Sequence, residues 1–160
     1  MEPLLDMIAG TWELLSYDMT ISSKSGETEV RKVAGETPLG RIVFTQDHFM
    51  SAHVTDPRAT GPTKEGTWFQ ARDEEVLRAA RPHVSYCGQF RLFHEGERDY
   101  LATTVHVALD PNWVGSEQVR RVEINHDDAG RGLLTLHPTQ EFILSDGKKS
   151  TASLTWVKRC

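Results

Sequence analysis

The sequence predicts one all-β domain, either a closed antiparallel barrel or a two-sheet sandwich. Two observations lead there. Segments rich in aromatic, threonine and aliphatic residues recur at roughly 8–12-residue spacing, about eight to ten in all, and Gly, Pro, Asn and Asp cluster between them. Helical periodicity is confined to two short stretches. Size agrees: 160 residues fit a single domain, and the 38% hydrophobic and 26% charged composition is that of a globular chain. A domain of this length buries about 70% of the surface its unfolded chain exposes, enough to hold a core without staples.

In chain order, residues 3–9 read as one or two helical turns, with Pro3 at the start, Leu4, Leu5, Met7 and Ile8 for a buried face, and Gly10 as the stop. Residues 11–21 form the first strand, and 22–26 are turn chemistry. Residues 27–33 alternate charged with small or apolar side chains and suit an exposed strand. Residues 41–45 and 49–55 flank Gln46-Asp47-His48 as a hairpin, with His48 solvated in the turn. Residues 56–66, carrying Pro57, Gly61, Pro62 and Gly66, are the weakest stretch for order and suit a loop over one end of the domain. Asp73 to Ala80 has acids early and Arg78 late, which favours a short helix before Pro82. Strand signals return at 84–93, 100–109, 118–126, 133–137, 141–144 and 153–158.

The totals exclude several function classes. A net charge of −5, with the basic pair Lys158-Arg159 at the end too short to form a basic stripe, argues against nucleic acid as a partner. No run approaches the roughly 20 apolar residues of a membrane span. The N-terminal residues carry acids where a secretory signal needs bases, so a cytoplasmic protein is expected. Cys87 lies in an apolar strand and reads as a small buried hydrophobe, and Cys160 is the last residue. His53, His83, His94, His126 and His137 show no ligand spacing, so no metal site is expected. Nucleophile elbows, phosphate loops and dinucleotide fingerprints are missing too, so no cofactor is expected.

Four blocks in order resemble a known family. Gly10-Thr11-Trp12 is similar to the Gly-x-Trp signature that opens lipocalins and their calycin relatives. Gly40-Arg41-Ile-Val-Phe44 followed by Met50-Ser51 resembles a segment of the lipocalin-like domain family, small proteins of fungi and bacteria. Tyr86-Cys-Gly88-Gln-Phe90 and Pro111-Asn-Trp-Val-Gly-Ser-Glu-Gln-Val-Arg120 resemble two further blocks of that family, and Leu154-Thr-Trp156 fits its end. The resemblance implies a closed antiparallel up-and-down lipocalin-like β-barrel with a short N-terminal helix, one domain over 1–160. It also implies that Trp12 plugs the closed end under a basic residue of the last strand, Lys158 or Arg159. Family members often carry a histidine where this chain has Thr103; His106 stands three residues on, an odd offset that puts the two on opposite sheet faces.

Such relatives can bind reactive polyketide or terpenoid intermediates and guide their cyclisation or isomerisation. The expectation for this chain is accordingly a small apolar ligand in the lumen, acted on without a cofactor, with a non-catalytic carrier as the alternative. The residues expected to carry it are Tyr86, His106 and Arg120 as catalytic groups and Arg41, Met50, Phe90 and Trp113 as ligand contacts. Tyr86 shares an apolar face with Gly88, Phe90 and Leu92 and can offer a phenol to a carbonyl; a core tyrosine is the other reading. Arg120 shares a face with Gln118, Val122 and Ile124 and can grip an oxyanion with its fork of donors; a structural ion pair is the other reading, as it is for Arg41. His106 faces the lumen if the cavity is lined by polar groups. It faces outward if the more apolar set Leu101, Thr103, Val105, Val107 and Leu109 points in. Self-association into a homodimer is left open.

Overall fold

A computed structural model describes residues 2–159. The helix α1 (Glu2–Ile8) precedes β1 (Gly10–Ser22), β2 (Thr28–Lys32), β3 (Leu39–Phe44) and β4 (Phe49–Thr55). A long connection carrying α2 (Asp73–Ala80) leads to β5 (Val84–Glu95), β6 (Arg98–Ala108), β7 (Glu117–His126), β8 (Gly132–Pro138), β9 (Phe142–Ile143) and β10 (Lys149–Lys158). Every segment expected from the sequence is present, with β10 beginning at Lys149 rather than Ser153. The sandwich alternative is excluded, because eight strands run β1-β3-β4-β5-β6-β7-β8-β10 and the sheet closes through β1 and β10.

Two long strands make the closure. Residues 10–13 of β1 pair with β3, and its residues 18–22 pair with β2. In β10, residues 154–157 pair with β8 and residues 149–150 with β9. The β1–β10 ribbon therefore runs past the closed part of the barrel and carries β2 and β9 as short edges. All of β2, Thr-Glu-Val-Arg-Lys, is exposed, and its charges protect that edge from pairing with another chain.

One end is sealed. Leu4, Leu5 and Ile8 of α1 are buried against the barrel core, where they meet Trp12. Gly10 then takes a φ of 124°, a turn out of the helix that a side chain would oppose. The Trp12 Nε1 donates to the Ile8 carbonyl at 2.7 Å, one of the carbonyls a helix leaves without an internal partner. Lys158 fills the role expected of a basic residue: its Nζ lies 5.2 Å from the Trp12 ring centroid and donates to the Met7 carbonyl at 2.9 Å. Arg159 turns outward instead and donates to Glu13 at 2.5 Å.

Two β-bulges decide which side chains enter the lumen. In β1, Leu14 pairs with Trp156 and Ser16 with Thr155, so Leu15 is the extra residue. The inward set thus changes from Trp12 and Leu14 to Tyr17, Met19 and Ile21. In β6, Val105 pairs with Gly88 and Val107 with Cys87, which leaves His106 as the extra residue. Inward Leu101, Thr103 and Val105 are followed by Ala108, while Val107 and Leu109 lie exposed outside. Gly88 makes the second bulge feasible, since a Cβ there would stand 1.9 Å from the Thr104 carbonyl oxygen.

The parity of β5 also corrects the expectation for Cys87. With Tyr86 and Gly88 turned inward, Cys87 lies on the outer face and is half-buried rather than core; Cys160 lies outside the described residues. The connection from β4 to β5 is better tied than its composition suggests. Asp56 caps a 3-10 turn at Pro57–Ala59 by accepting from the Arg58 backbone at 2.9 Å. Glu75 of α2 accepts from the backbone N–H of Lys64 at 3.0 Å and of Arg72 at 3.2 Å.

Candidate ligand-binding site

Opposite the sealed end lies a cavity of about 140 Å³. Its apolar wall comes from successive inward positions: Ile42 of β3, Ala52 and Val54 of β4, Leu136 of β8, and Ala152 and Leu154 of β10. Trp156 also forms part of the wall, and Gln140 and Phe142 border it from the β8–β9 connection and β9. The polar groups are few: Tyr17 of β1, Tyr86 of β5 and, on the β7 side, Gln118 and Arg120. That composition, an apolar envelope with several convergent donors, is typical of a small-molecule pocket.

The stretch Pro111 to Arg120 builds the polar side. Asp110 accepts from the Asn112 backbone at 2.9 Å, and Pro111 opens a 3-10 turn over Pro111–Trp113. The turn presents Trp113 to the cavity, where its ring meets Tyr86 edge-on, with centroids 5.2 Å apart. Ser116 Oγ donates to the Trp113 carbonyl at 2.7 Å and accepts from Gln118 Nε2 at 3.0 Å. Gln118 Oε1 in turn accepts from Arg120 Nη2 at 3.4 Å, and Arg120 Nη1 donates to the Val119 carbonyl at 2.9 Å. The guanidinium also lies 5.9 Å from the Trp113 ring centroid. Each of these contacts fixes the arginine's position, yet among the described residues no carboxylate lies within ion-pair distance of it. Its charge is oriented but not neutralised.

Tyr17 completes the set. Burial pushes its phenol above the ordinary value of 10, and the charge of Arg120 opposes that shift. The phenol therefore keeps its proton at neutral pH and acts as a neutral donor.

Tyr86, Trp113 and Arg120, singled out in the sequence, thus meet at the cavity. Met50 and Phe90 are buried in the core toward the sealed end and do not line it; Phe90 packs edge-on against Phe44 with ring centroids 5.5 Å apart. His106 and Arg41 lie outside the barrel, which corrects the expectation for both. His106 is the bulge residue of β6, exposed on the outer face with its ring 6.2 Å from that of Phe49. Arg41 alternates with inward Gly40 and Ile42 and is exposed, 3.6 Å from Glu13. Thr103, at the position where family members often have histidine, is fully buried.

Tyr17 and Gln118 were missed as site residues. Strict alternation from Trp12 and Leu14 assigns Tyr17 to the outside, and only the bulge at Leu15 reverses it. Gln118 had a visible signal, its place two residues before Arg120 on the same face. Among the described residues, no group of three or more His, Cys, Asp and Glu side chains converges on a metal position. No helix is long and apolar enough to cross a membrane.

The family comparison agrees with this architecture. A family model described as a lipocalin-like domain matches residues 9–160. A protein of Aspergillus oryzae, the 4'-hydroxy-3'-methoxypropiophenone carrier protein ppsC, is 32% identical over 114 residues, which cover 68% of this chain and 96% of that protein. A redesigned β-barrel of known structure aligns with 98% of this chain and 94% of its own, at 15% identity and a TM-score of 0.34. The match over residues 9–160, together with a barrel sealed by Trp12 and hollow beyond it, establishes that this chain belongs to the lipocalin-like domain family.

Proposed function

We propose that this chain is a binding and carrier barrel for a small, single-ring aromatic molecule bearing a carbonyl or phenolic oxygen. The observation that carries the reading is the state of Arg120, a positioned and un-neutralised guanidinium on the wall of an otherwise apolar cavity. A ligand oxygen supplies what that wall lacks, and a charge-assisted hydrogen bond gains strength where water is excluded. Size supports a compact ligand. A volume of about 140 Å³ is roughly ten times the 10–15 Å³ that admits one water. Aromatic edges from Tyr86 and Trp113 suit a flat ring. The relative's name supports the same class, since its propiophenone is one ring with a ketone and two further oxygens.

Binding without conversion is the lead because of the side-chain types on the wall. The ionisable side chains on the wall are Tyr17, Tyr86 and Arg120, with no histidine or carboxylate among them, and burial raises the pKa of the Tyr17 phenol. Hydroxyl and guanidinium groups grip and polarise an oxygen, and the wall lacks the imidazole or carboxylate that commonly serves as a general base. Calorimetric titration with 4'-hydroxy-3'-methoxypropiophenone should give one-to-one binding, and the ketone should be recovered unchanged. Arg120→Leu should weaken binding at least tenfold with the fold intact, the effect of losing a hydrogen bond to a charged group. No saturable heat up to about 1 mM, weaker than about −4 kcal/mol, contradicts the reading.

A second reading, cofactor-independent cyclisation or isomerisation of a biosynthetic intermediate, draws on the same donors. Arg120 and the two phenols could stabilise negative charge growing on a carbonyl oxygen while the wall holds one conformer. It predicts that Tyr86→Phe and Arg120→Leu change product ratios from a flexible polyketide-like or terpenoid-like ketone. Ratios equal to those of the uncatalysed reaction exclude it.

A further inference from the structure

The ionisable side chains on the cavity wall offer protons and little to receive them. A guanidinium has no acceptor capacity, and the one acceptor beside Arg120, Gln118 Oε1, already takes an N–H from it. The Tyr17 and Tyr86 hydroxyls make no hydrogen bond among the described residues, nor does the Arg120 Nε. All three atoms belong to buried or half-buried residues. Yet the buried side-chain atoms left without a partner are Asp18 Oδ1, Thr103 Oγ1, His137 Nε2 and Trp156 Nε1, and none of the three is among them. Each therefore keeps contact with open space, and the space these residues line is the cavity. They also converge. Tyr86 and Arg120 pack on the same Trp113 ring, at 5.2 Å between ring centroids and 5.9 Å from the guanidinium. The Arg120 charge reaches the Tyr17 phenol, where it works against the effect of burial. Every other wall residue, from β3, β4, β8, β9 and β10 as from β1, β5 and β7, is uncharged.

We infer that the cavity takes its aromatic ligand as an anion, the ionised form of an acylated phenol, in preference to the neutral phenol. This rests on the binding reading above and narrows it to rings acidic enough to ionise near neutral pH. A neutral phenol brings one more proton to a wall already rich in them. A phenolate is acceptor-only and meets a fixed positive charge and two hydroxyl donors. With the acyl group para to the hydroxyl, resonance spreads the charge from the ring oxygen to the ketone oxygen, so either end of the ring suits Arg120. The apolar envelope opposes ionisation, but an adjacent opposite charge alone lowers an acid's pKa by about 1–3, and hydrogen bonds to the ionised form add to that. With no imidazole or carboxylate on the wall, the phenol proton is lost to water and the anion enters.

The probe is 4'-hydroxypropiophenone, and 4'-methoxypropiophenone, which cannot ionise, is its control. The ketone holds the probe's hydroxyl below the ordinary phenol pKa of about 10, and the phenolate absorbs at longer wavelength than the neutral form. With the native protein, an absorbance titration of the bound probe should give a pKa at least about one pH unit below that of the free probe. That corresponds to an anion bound at least about tenfold more tightly than the neutral form. Affinity for the probe should accordingly rise with pH across that interval and level off above the free probe's pKa, while affinity for the methoxy ketone stays within about twofold. In Arg120→Leu the bound pKa should return to the free value or exceed it. Because that variant also binds more weakly, the measurements on native protein decide. A bound pKa that is unshifted or raised, an affinity that follows pH equally for both ketones, or a lowered pKa that survives Arg120→Leu each overturn the inference and leave ligand binding standing. Failure of both ketones to bind native protein removes the binding reading itself.

Discussion

Gly88 illustrates how one missing side chain sets the position of several others. The β5 and β6 backbones approach so closely there that a Cβ would overlap the Thr104 carbonyl oxygen, at 1.9 Å. That approach holds the bulge at His106, which keeps Val107 outside and turns Ala108 in opposite Tyr86. Gly88→Ala should therefore destabilise the fold by about 2 kcal/mol or more, lowering the melting temperature by roughly 4–8 °C in a chain of this length. A melting temperature unchanged in calorimetry contradicts the account of the bulge. The cavity makes two further residue-level predictions for ligand titrations. His106→Ala should leave affinity for a propiophenone within twofold of native, since the ring is outside. Gln118→Ala should weaken it by about two- to fivefold by freeing Arg120, with little change in thermal stability. At this scale Tyr86, Arg120 and Trp113 were legible, because their family blocks and strand parity agree. Tyr17 and the outward turn of Val107 were not. Alternation reads a strand as an unbroken period of two, and a single extra residue reverses every position after it.

The elements themselves were more legible than the side chains they carry. Turn residues punctuate nearly every strand, so the segments emerge even where their faces do not. The β4–β5 connection is the exception, since a stretch rich in Pro and Gly reads as loose while its tethers are remote in sequence. Lys64 and Arg72 both donate backbone hydrogen bonds to the Glu75 carboxylate, and these two, in that order, hold its pKa below the ordinary 4.5. A carboxylate with a depressed native pKa stabilises its segment fully above the unfolded value and loses that contribution as pH falls through the native one. Limited proteolysis between Thr60 and Arg72 should thus accelerate as pH drops below about 4.5, and Glu75→Gln should show raised cleavage already at neutral pH. A cleavage rate indifferent to both contradicts the tether. At the sealed end, Lys158→Met keeps the stem but removes the donor to Met7 and the charge over Trp12. It should cost about 1–2 kcal/mol in chemical denaturation.

For the molecule as a whole, the division of labour runs along the barrel. One end is filled by Trp12, Leu14, Phe44, Met50 and Phe90 beneath α1, and the other is left hollow between β1, β4, β7 and β10. Closure was readable only with the four family blocks taken together, because strand spacing alone fits a sandwich equally well. The hollow was implied by the family resemblance and not by the residues themselves. Empty volume follows from how inward side chains meet across the lumen, and small residues such as Ala52 and Ala152 become informative only once their partners are known. That hollow, with Arg120 on its wall, is the centre of the account, and nuclear magnetic resonance mapping of a propiophenone titration tests it most directly. Saturable shifts should concentrate on Tyr17, Tyr86, Trp113 and the Arg120 side chain, with Trp12 and the outer-face residues Arg41 and His106 unmoved. Shifts gathered on the outer sheet, or none that saturate, contradict it.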